Sequence, residues 1–289
     1  MWAHRPDLNP GLIIYIFVFF VDYLFPLDMA RNSVDDMYSN CAKIMEKKVK
    51  DMFFKKEMED KLFKPAWEAA EECANQNLKK REEGDKALTK DLMQAMCTYT
   101  NENPNLYKIF NEEVRTKREA YGSSFRFHSL YFWLTRAIQI LNKQKKCKTT
   151  FRRTTEKFTG NVKPTIRFGA FTSTSFESNL TSFGRETCFK IKTCYGAYLK
   201  TYSVFQHEQE VLIPPYEKFK IISNNKKREL QDCEVVYVLK SAGVQSNLDC
   251  QINSTLLSVL FQPLDGQSLL IFPIKYPMSY LKGILKLRL

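Results

Sequence analysis

Several motifs that would assign a function directly are missing from this sequence. No G-x-G-x-x-G follows a predicted strand, which excludes a Rossmann dinucleotide site. The net charge of +12 comes from scattered basic residues without zinc-finger spacing, an RRM-like aromatic motif or a bZIP heptad, so no nucleic-acid partner is indicated. The chain also lacks low-complexity segments and solenoid-length repeats. Its 289 residues are therefore expected to form a globular fold with its own hydrophobic core.

Metal-type cysteine spacing is absent as well. The eight cysteines are even in number and include no C-x-x-C pair, which favours disulfides over a metal site. They lie at 41, 73, 97, 147, 188, 194, 233 and 250. Disulfides require an oxidising compartment, and the sequons Asn179-Leu-Thr181 and Asn253-Ser-Thr255 fit the same compartment.

The beginning of the chain has the pattern of an export signal. His4 and Arg5 precede an apolar run from Leu12 to Val21, whose apolar character continues to Leu27. This length suits a signal peptide better than a full membrane span of about 20 apolar residues. Because no A-x-A cleavage pattern follows, an uncleaved signal anchor is the alternative. Residues 1–30 are thus predicted to direct the protein to secretion or to the extracellular face of the cell.

Helical periodicity dominates the first half of the sequence, up to about Leu141. Asp35 and Asp36 are suitable N-cap residues for a first helix. Pro65 suits the first turn of another helix, because its missing N–H costs nothing there. Further helices are predicted over Lys86–Tyr99, Leu106–Arg118 and Ser129–Leu141.

The second half is rich in β-branched and aromatic residues, with Gly, Pro and Asn between short runs. Helices that precede strands indicate an α+β domain rather than a βαβ sheet. We therefore predict one domain over residues 31–252, with a helical lobe at 31–145 and a β-rich part at 146–252. The predicted strands are Thr149–Phe151, Thr165–Phe171, Thr187–Thr193, Ala197–Tyr202, Glu210–Ile213, Lys218–Ser223 and Cys233–Lys240.

Three polar clusters in the β-rich part carry candidate chemistry. Arg152 lies beside a predicted strand, and its guanidinium could donate paired hydrogen bonds to a diphosphate. Ser173 and Ser175 share one face of a strand, where they could orient a ribose or other polar groups. Glu208 and Glu210 could face one ligand, and a carboxylate stabilises an oxocarbenium-like sugar cation. Taken singly, each cluster is better explained as a surface feature.

Together, the three clusters resemble the R-S-E signature of arginine-specific mono-ADP-ribosyltransferases. The order Arg, then Ser-Thr-Ser, then Glu-x-Glu is that of the signature. Other segments resemble the vertebrate ecto-enzymes of this family in the same order along the chain. They are Asp35–Cys41, Leu106–Asn111, Phe125–Leu141 and Tyr195–Pro215. The resemblance covers residues 33 to 252.

This resemblance implies a role for each matching residue. Arg152 corresponds to the arginine that holds the NAD phosphates, and Ser173 to the serine that positions NAD and the catalytic glutamate. Glu210 corresponds to that catalytic glutamate, and Glu208 to the glutamate associated with arginine as acceptor. Phe183 corresponds to an aromatic residue near the nicotinamide. The implied fold is a helical lobe followed by a split β-sandwich NAD-binding core. NAD or NADP is the implied co-substrate, with no metal, and a protein arginine is the implied acceptor.

The resemblance also implies disulfides between Cys41 and Cys250 and between Cys147 and Cys194. The other four cysteines stay unassigned. Residues 253–289 are predicted to be a C-terminal tail, whose apolar stretches are broken by prolines and therefore fit a lipid-anchor signal poorly. Two other functions remain open, an NAD glycohydrolase and an inactive surface binding protein of the same fold.

One departure from the family concerns the residue after Arg152. The family usually has glycine there, whereas this chain has Arg153. A long side chain at this position could crowd the site or add a phosphate contact. Because neighbouring side chains on a strand point to opposite faces, we predict that Arg153 points away if Arg152 faces the cleft.

Overall fold

A computed structural model describes the chain in three stretches, namely residues 24–101, 106–225 and 228–250. The predicted export signal falls largely on residues 1–23, which lie outside the described residues. The predicted tail and the sequon at Asn253 also lie outside them. The described residues form helices followed by strands, so the predicted α+β fold is confirmed.

The described residues of the helical lobe form seven α-helices. They are α1 (Ala42–Lys48), α2 (Phe54–Glu57), α3 (Phe63–Ala69), α4 (Glu71–Lys79), α5 (Lys90–Thr100), α6 (Leu106–Thr116) and α7 (His128–Leu141). A π-helical turn, Val49–Phe53, joins α1 to α2. Pro65 lies in the first turn of α3, as predicted.

Aromatic side chains hold the lobe together. Trp67 of α3 stacks on Trp133 of α7 with ring centroids 4.9 Å apart, and Phe54 meets both rings edge-on. Phe63 also stacks on Trp67, with ring centroids 5.6 Å apart. Edge-to-face and offset pairs each add about 0.5–1.5 kcal/mol beyond the burial of their area. The apolar side chains of α7 therefore belong to the core.

The prediction that Asp35 and Asp36 cap the first helix is wrong. That helix begins at Ala42, and both aspartates are completely buried before it. Asp35 pairs with Arg167 at 3.0 Å, a residue of the β half. A short acidic side chain suits an N-cap and a buried ion pair equally well, so local sequence could not distinguish the two.

The β half contains the strands β2 (Lys148–Thr154), β4 (Thr165–Ile166), β5 (Thr172–Ser175), β6 (Thr187–Thr193), β7 (Ala197–Tyr198), β8 (Glu210–Ile213), β9 (Glu217–Ser223) and β10 (Val235–Val244). They form one sheet in the order β4-β9-β10-β6-β2-β5-β8-β7, in which β10 pairs with β6 in parallel. At its middle, β2 and β5 share a single register position, Phe151 opposite Ser175. The sheet therefore opens into two halves between these strands.

A short parallel pair lies beside this sheet. It consists of β1 (Leu24–Pro26) and β3 (Lys157–Thr159). Arg167 also holds this region, because its side chain donates to the carbonyl oxygens of Met29 and Ala30. Residues 24–30, which the sequence analysis assigned to the export segment, therefore pack on the β half. The apolar residues 24–27 are compatible with an edge strand as well as with the end of a signal peptide.

Four disulfides connect the described residues and leave no free cysteine among them. Cys41–Cys250 joins the start of the helical lobe to the end of the β half, and Cys147–Cys194 joins β2 to the end of β6. These are the two pairs that the family resemblance implied. The remaining cysteines pair as Cys73–Cys97 and Cys188–Cys233.

Candidate active site

The opening between β2 and β5 continues into a cleft that reaches the helical lobe. The strands contribute Arg152, Ser173 and Ser175 to its lining, and α5 and α6 contribute aromatic and polar side chains. The loops after β5 and before β8 form its rim. The cleft thus collects all five residues that the sequence analysis selected, which are Arg152, Ser173, Phe183, Glu208 and Glu210.

Arg152 presents a half-buried guanidinium to this cleft. Its Nη1 donates to the carbonyl oxygen of Ser173 at 2.8 Å, the one acceptor it has among the described residues. Burial lowers the pKa of Arg152, but an arginine remains charged at neutral pH. A guanidinium has five N–H donors, so most of them remain available for an anionic ligand. A diphosphate fits this donor set.

The guanidinium groups of Arg152 and Arg153 have different partners, as expected for opposite faces of a strand, although Arg153 also belongs to the cleft lining. Its side chain is 4% exposed and forms a bidentate pair with Asp232, with both N–O distances at 2.9 Å. Its Nε donates to the carbonyl oxygen of Ser178 at 2.7 Å. The guanidinium also lies beside the Cys188–Cys233 disulfide. Arg153 is therefore committed to neighbouring protein groups rather than to an anion in the cleft.

Glu210, the first residue of β8, is buried at the base of the cleft. Ser203 Oγ donates to one of its carboxylate oxygens at 2.8 Å. Burial raises the pKa of Glu210, while hydrogen bonds from Ser173 and Ser203 act in the opposite direction. The charge of Glu208 raises that pKa further. The carboxylate is thus held in place with little access to water.

The backbone between the two glutamates explains how both reach one cleft. Glu208 ends a short 3-10 turn, Gln209 has left-handed dihedrals (φ 46°, ψ 51°), and Glu210 begins the strand. The Ser175 hydroxyl donates to the carbonyl oxygen of Glu208 and fixes the end of the turn. His207, on the same turn, is exposed, as expected for a loop histidine.

Phe183 lies at the rim of the cleft, in the loop between β5 and β6. Its ring lines the cleft and is 45% exposed. An aromatic residue left this open can cover a flat ring bound in the cleft, because burial of both faces would stabilise the contact.

Sequence reasoning missed the contribution of the helical lobe. Tyr99 of α5 is buried, accepts a hydrogen bond from Asn111 at 3.0 Å and donates to the Phe171 carbonyl oxygen at 3.0 Å. Burial raises the pKa of Tyr99 to about 12, so it remains a donor at neutral pH. Tyr107 and Asn111 of α6 also line the cleft. Both lie in a segment that resembles the family, but helical periodicity alone assigns them no ligand.

The loop before Glu208 is fastened to the helical lobe. Tyr202 is fully buried, donates to Asp85 at 2.9 Å and accepts from the backbone N–H of Glu82 at 3.0 Å. Lys200 donates to Asp85 at 2.7 Å, and Asn77 donates to the Tyr202 carbonyl oxygen at 2.9 Å. These contacts place the loop that carries both glutamates, although their partners lie more than a hundred residues away.

Among the residues that the structure describes, none forms a helix long and apolar enough to span a membrane. The same residues contain a single cluster of metal-ligand side chains, Asp36 with Cys41 and Cys250. Its two sulfur atoms are bonded to each other, which removes the thiolates that a metal would require.

Comparison with known proteins gives one consistent result. The sequence model of a family described as NAD:arginine ADP-ribosyltransferase matches residues 27–243. The erythroblast NAD(P)(+)--arginine ADP-ribosyltransferase of Gallus gallus is 33% identical over 232 residues, which are 78% of this chain and 75% of that protein. The human ecto-ADP-ribosyltransferase 5 is 34% identical over 68% of this chain and 71% of its own length.

A solved structure agrees with the sequence comparisons. A mutant of the eucaryotic mono-ADP-ribosyltransferase ART2.2, in complex with NADH, superposes with a TM-score of 0.66 at 29% identity. The alignment covers 77% of this chain and 97% of that one. The family model alone spans well over half of the sequence, and the relatives match in both sequence and fold. This chain belongs to the NAD:arginine ADP-ribosyltransferase family.

Proposed function

We propose that this protein transfers ADP-ribose from NAD to the side chain of a protein arginine. The observation that carries the proposal is the pair Glu208 and Glu210, which line one cleft on either side of the left-handed Gln209. The same cleft holds the half-buried guanidinium of Arg152. One cationic group and two carboxylates match the charges of a diphosphate, a developing sugar cation and a guanidinium acceptor.

Glu210 serves the sugar in this proposal. Breaking the bond between nicotinamide and ribose leaves positive charge on the ribose, and a buried carboxylate stabilises that charge more strongly than water-exposed groups do. Hydrogen bonds from Ser173 and Ser203 favour the ionised form of Glu210 and oppose the effect of burial on its pKa. Arg152 holds the diphosphate, and Phe183 covers the nicotinamide. NADP is a second candidate substrate, because relatives bear NAD(P) in their names.

Glu208 serves the acceptor. It lies at the rim rather than at the base, so an arginine arriving from solvent meets it first. A carboxylate pairs with a guanidinium in two parallel hydrogen bonds and can take up its proton. A guanidino nitrogen then bonds to the ribose carbon, nicotinamide leaves with the bonding electrons, and the proton of the guanidino nitrogen is released.

The test separates the two glutamates. Glu208→Gln is expected to lose transfer to a small guanidine acceptor but to keep part of its NAD hydrolysis. Glu210→Gln is expected to lose both, because removing one such electrostatic contact typically costs on the order of 10²–10³ in rate. Both products are measured by chromatography after incubation with NAD. Glu234→Gln is the matched control, since Glu234 is exposed and is not part of the cleft lining.

Three results would contradict this assignment. Equal loss of both activities in Glu208→Gln would show that Glu208 and Glu210 do not have separate roles toward the acceptor and the sugar. NAD hydrolysis without any transfer in the unmodified protein would identify an NAD glycohydrolase instead. A protein that binds NAD without consuming it would be an inactive binding protein of the same fold.

We further propose that the chain is exported and acts outside the cell, with the segment before β1 as signal peptide or signal anchor, since residues 24–30 pack on the β half. The disulfides and the ecto-enzymes among its relatives support this location. Mass spectrometry of the mature protein from cells determines both termini. A mature chain that begins after the apolar segment indicates cleavage, and one that retains it indicates an anchor.

A further inference from the structure

The loop that joins β5 to β6 contains a sequon at the rim of the cleft. This rim loop spans residues 176–186, and its members Leu180 and Phe183 line the cleft. Asn179 lies between the end of β5 and Leu180, and it is exposed. Thr181 is exposed as well. The triplet Asn179-Leu-Thr181 matches the acceptor sequence for N-linked glycosylation, with leucine at the middle position.

The local backbone presents Asn179 to solvent. Leu180 has φ −73° and ψ 65°, and the N–H of Thr181 donates to the carbonyl oxygen of Asn179 at 2.7 Å. These values define an inverse γ-turn. Leu180, at the centre of the turn, is half-buried and faces the cleft, while the residues on both sides remain in solvent. The side-chain amide of Asn179 makes no hydrogen bond with any described residue, so its modification would break no contact there.

The rim loop is fastened on both sides of Asn179. Arg153 Nε holds the carbonyl oxygen of Ser178 at 2.7 Å. At the far end, Gly184 has φ 121°, and a Cβ there would approach the Thr154 backbone at 2.4 Å. A group attached to Asn179 would therefore stay at the opening of the cleft.

The disulfides of the folded chain also indicate that it folds in the oxidising compartment in which sequons are modified. Every cysteine among its described residues is paired, including Cys73–Cys97 and Cys188–Cys233. Disulfides of this kind form where secreted proteins fold, which is also where N-glycans are attached.

We propose that Asn179 carries an N-linked glycan, and that this glycan limits which protein acceptors reach the cleft. The side-chain nitrogen of Asn179 forms a bond to the first sugar carbon of a lipid-diphosphate-linked oligosaccharide. The bond from that carbon to the diphosphate breaks, the lipid diphosphate leaves with the electron pair, and the amide loses one proton. The glycan excludes large acceptor surfaces but admits NAD and small guanidines. The second half of this proposal rests on the proposed transferase activity.

The first experiment determines occupancy and does not depend on activity. The full chain is expressed in secretory cells, and its peptides are treated with a peptide N-glycosidase in heavy-oxygen water. Conversion of Asn179 to labelled aspartate is the expected result. Asn179→Gln and Thr181→Ala should each lose the glycan, while Thr181→Ser, which keeps the sequon, should retain it. Secreted protein with an unmodified Asn179 would overturn the proposal.

The second experiment compares two acceptors. Loss of the glycan, by either variant or by enzymatic removal under native conditions, is expected to raise transfer to a folded protein several-fold. Transfer to a small guanidine and the KM for NAD should stay unchanged. An equal change for both acceptors, or no change for the protein acceptor, would overturn the role in acceptor choice. Absence of transfer in every form would reject the proposed activity, whereas the first experiment would still decide the site.

Discussion

Adjacent residues on β2 carry the same charge and have different surroundings. Arg152 has one protein acceptor and opens to the cleft, whereas Arg153 is engaged by Asp232 and the Ser178 carbonyl oxygen. The strand separates them, because successive side chains leave it on opposite faces. The family's usual glycine at this position is therefore replaced by a structural ion pair, without a second phosphate ligand.

Substitutions at these two arginines should affect different properties. Arg152→Ala should weaken NAD binding about 10- to 150-fold, and Arg152→Lys nearly as much, because an ammonium lacks the planar fork. Arg153→Gly should instead lower the free energy of unfolding by about 2 kcal/mol and change NAD affinity far less. Calorimetry and urea unfolding measure the two quantities. If Arg153→Gly abolished NAD binding while Arg152→Ala did not, Arg153 would be the phosphate ligand.

The pKa of Glu210 provides a second prediction at this scale. Activity requires the ionised carboxylate, and burial raises its pKa above the ordinary value. The acid limb of the pH profile should thus lie at higher pH than for an exposed glutamate. Ser203→Ala removes a hydrogen bond that lowers this pKa, so the limb should move to still higher pH. Initial rates across pH test this, with exposed Ser124→Ala as control. An unchanged limb would show that Glu210 does not govern it.

Individual elements were predicted unequally well from the sequence. The bounds of β6 and β8 are those predicted, because β-branched residues recur in each. Of the predicted strand Thr165–Phe171, only Thr165–Ile166 forms a strand, since the later residues pair with no neighbouring strand. The wall of the cleft formed by α5 and α6 was not predicted. Its chemistry arises from contacts between helices and strands, and no local pattern encodes them.

A buried carboxylate at the beginning of α7 leads to a prediction about that helix. Glu57 accepts the backbone N–H of Ser129 at 3.1 Å, and burial raises its pKa to about 8. The folded state thus binds a proton that the unfolded state releases above its ordinary pKa of 4.5. The contribution of Glu57 to the free energy of unfolding should therefore fall as pH rises from 4.5 to 8.

The variant Glu57→Gln isolates this effect, because it retains an acceptor without the charge. The difference in unfolding free energy between the original protein and the variant should change by about 2 kcal/mol between pH 6.5 and pH 8. The original protein should lose stability relative to the variant as pH rises. Urea unfolding at several pH values measures the difference, and a constant difference would contradict the raised pKa.

At the scale of the whole molecule, the two ends of the domain are joined. Besides the disulfide Cys41–Cys250, the N–H of Cys250 donates to Asp36 at 2.7 Å, and Asn40 donates to Asp249 at 2.8 Å. The helical lobe and the β half therefore depend on each other at the point where the described chain ends. The family resemblance implied this disulfide, whereas composition indicated only that disulfides should form.

Removal of this disulfide should be costly. It closes a loop with a sequence separation of 209, for which the chain-entropy model gives about 5 kcal/mol. Cys188–Cys233 has a separation of 45, and the same model gives about 4 kcal/mol. Paired Cys→Ser substitutions at each disulfide and urea unfolding compare the two. A larger loss for Cys188–Cys233 would show that native contacts, rather than loop length, determine the cost.

The connection between Cys41 and Cys250 also determines what a protease can do to this protein. Any single cut of the backbone between these residues produces two fragments that remain covalently linked. A nicked molecule would keep its original mass under non-reducing conditions and would separate only after reduction. Inactivation by one cleavage would then have to occur by distortion of the cleft, because neither fragment can diffuse away.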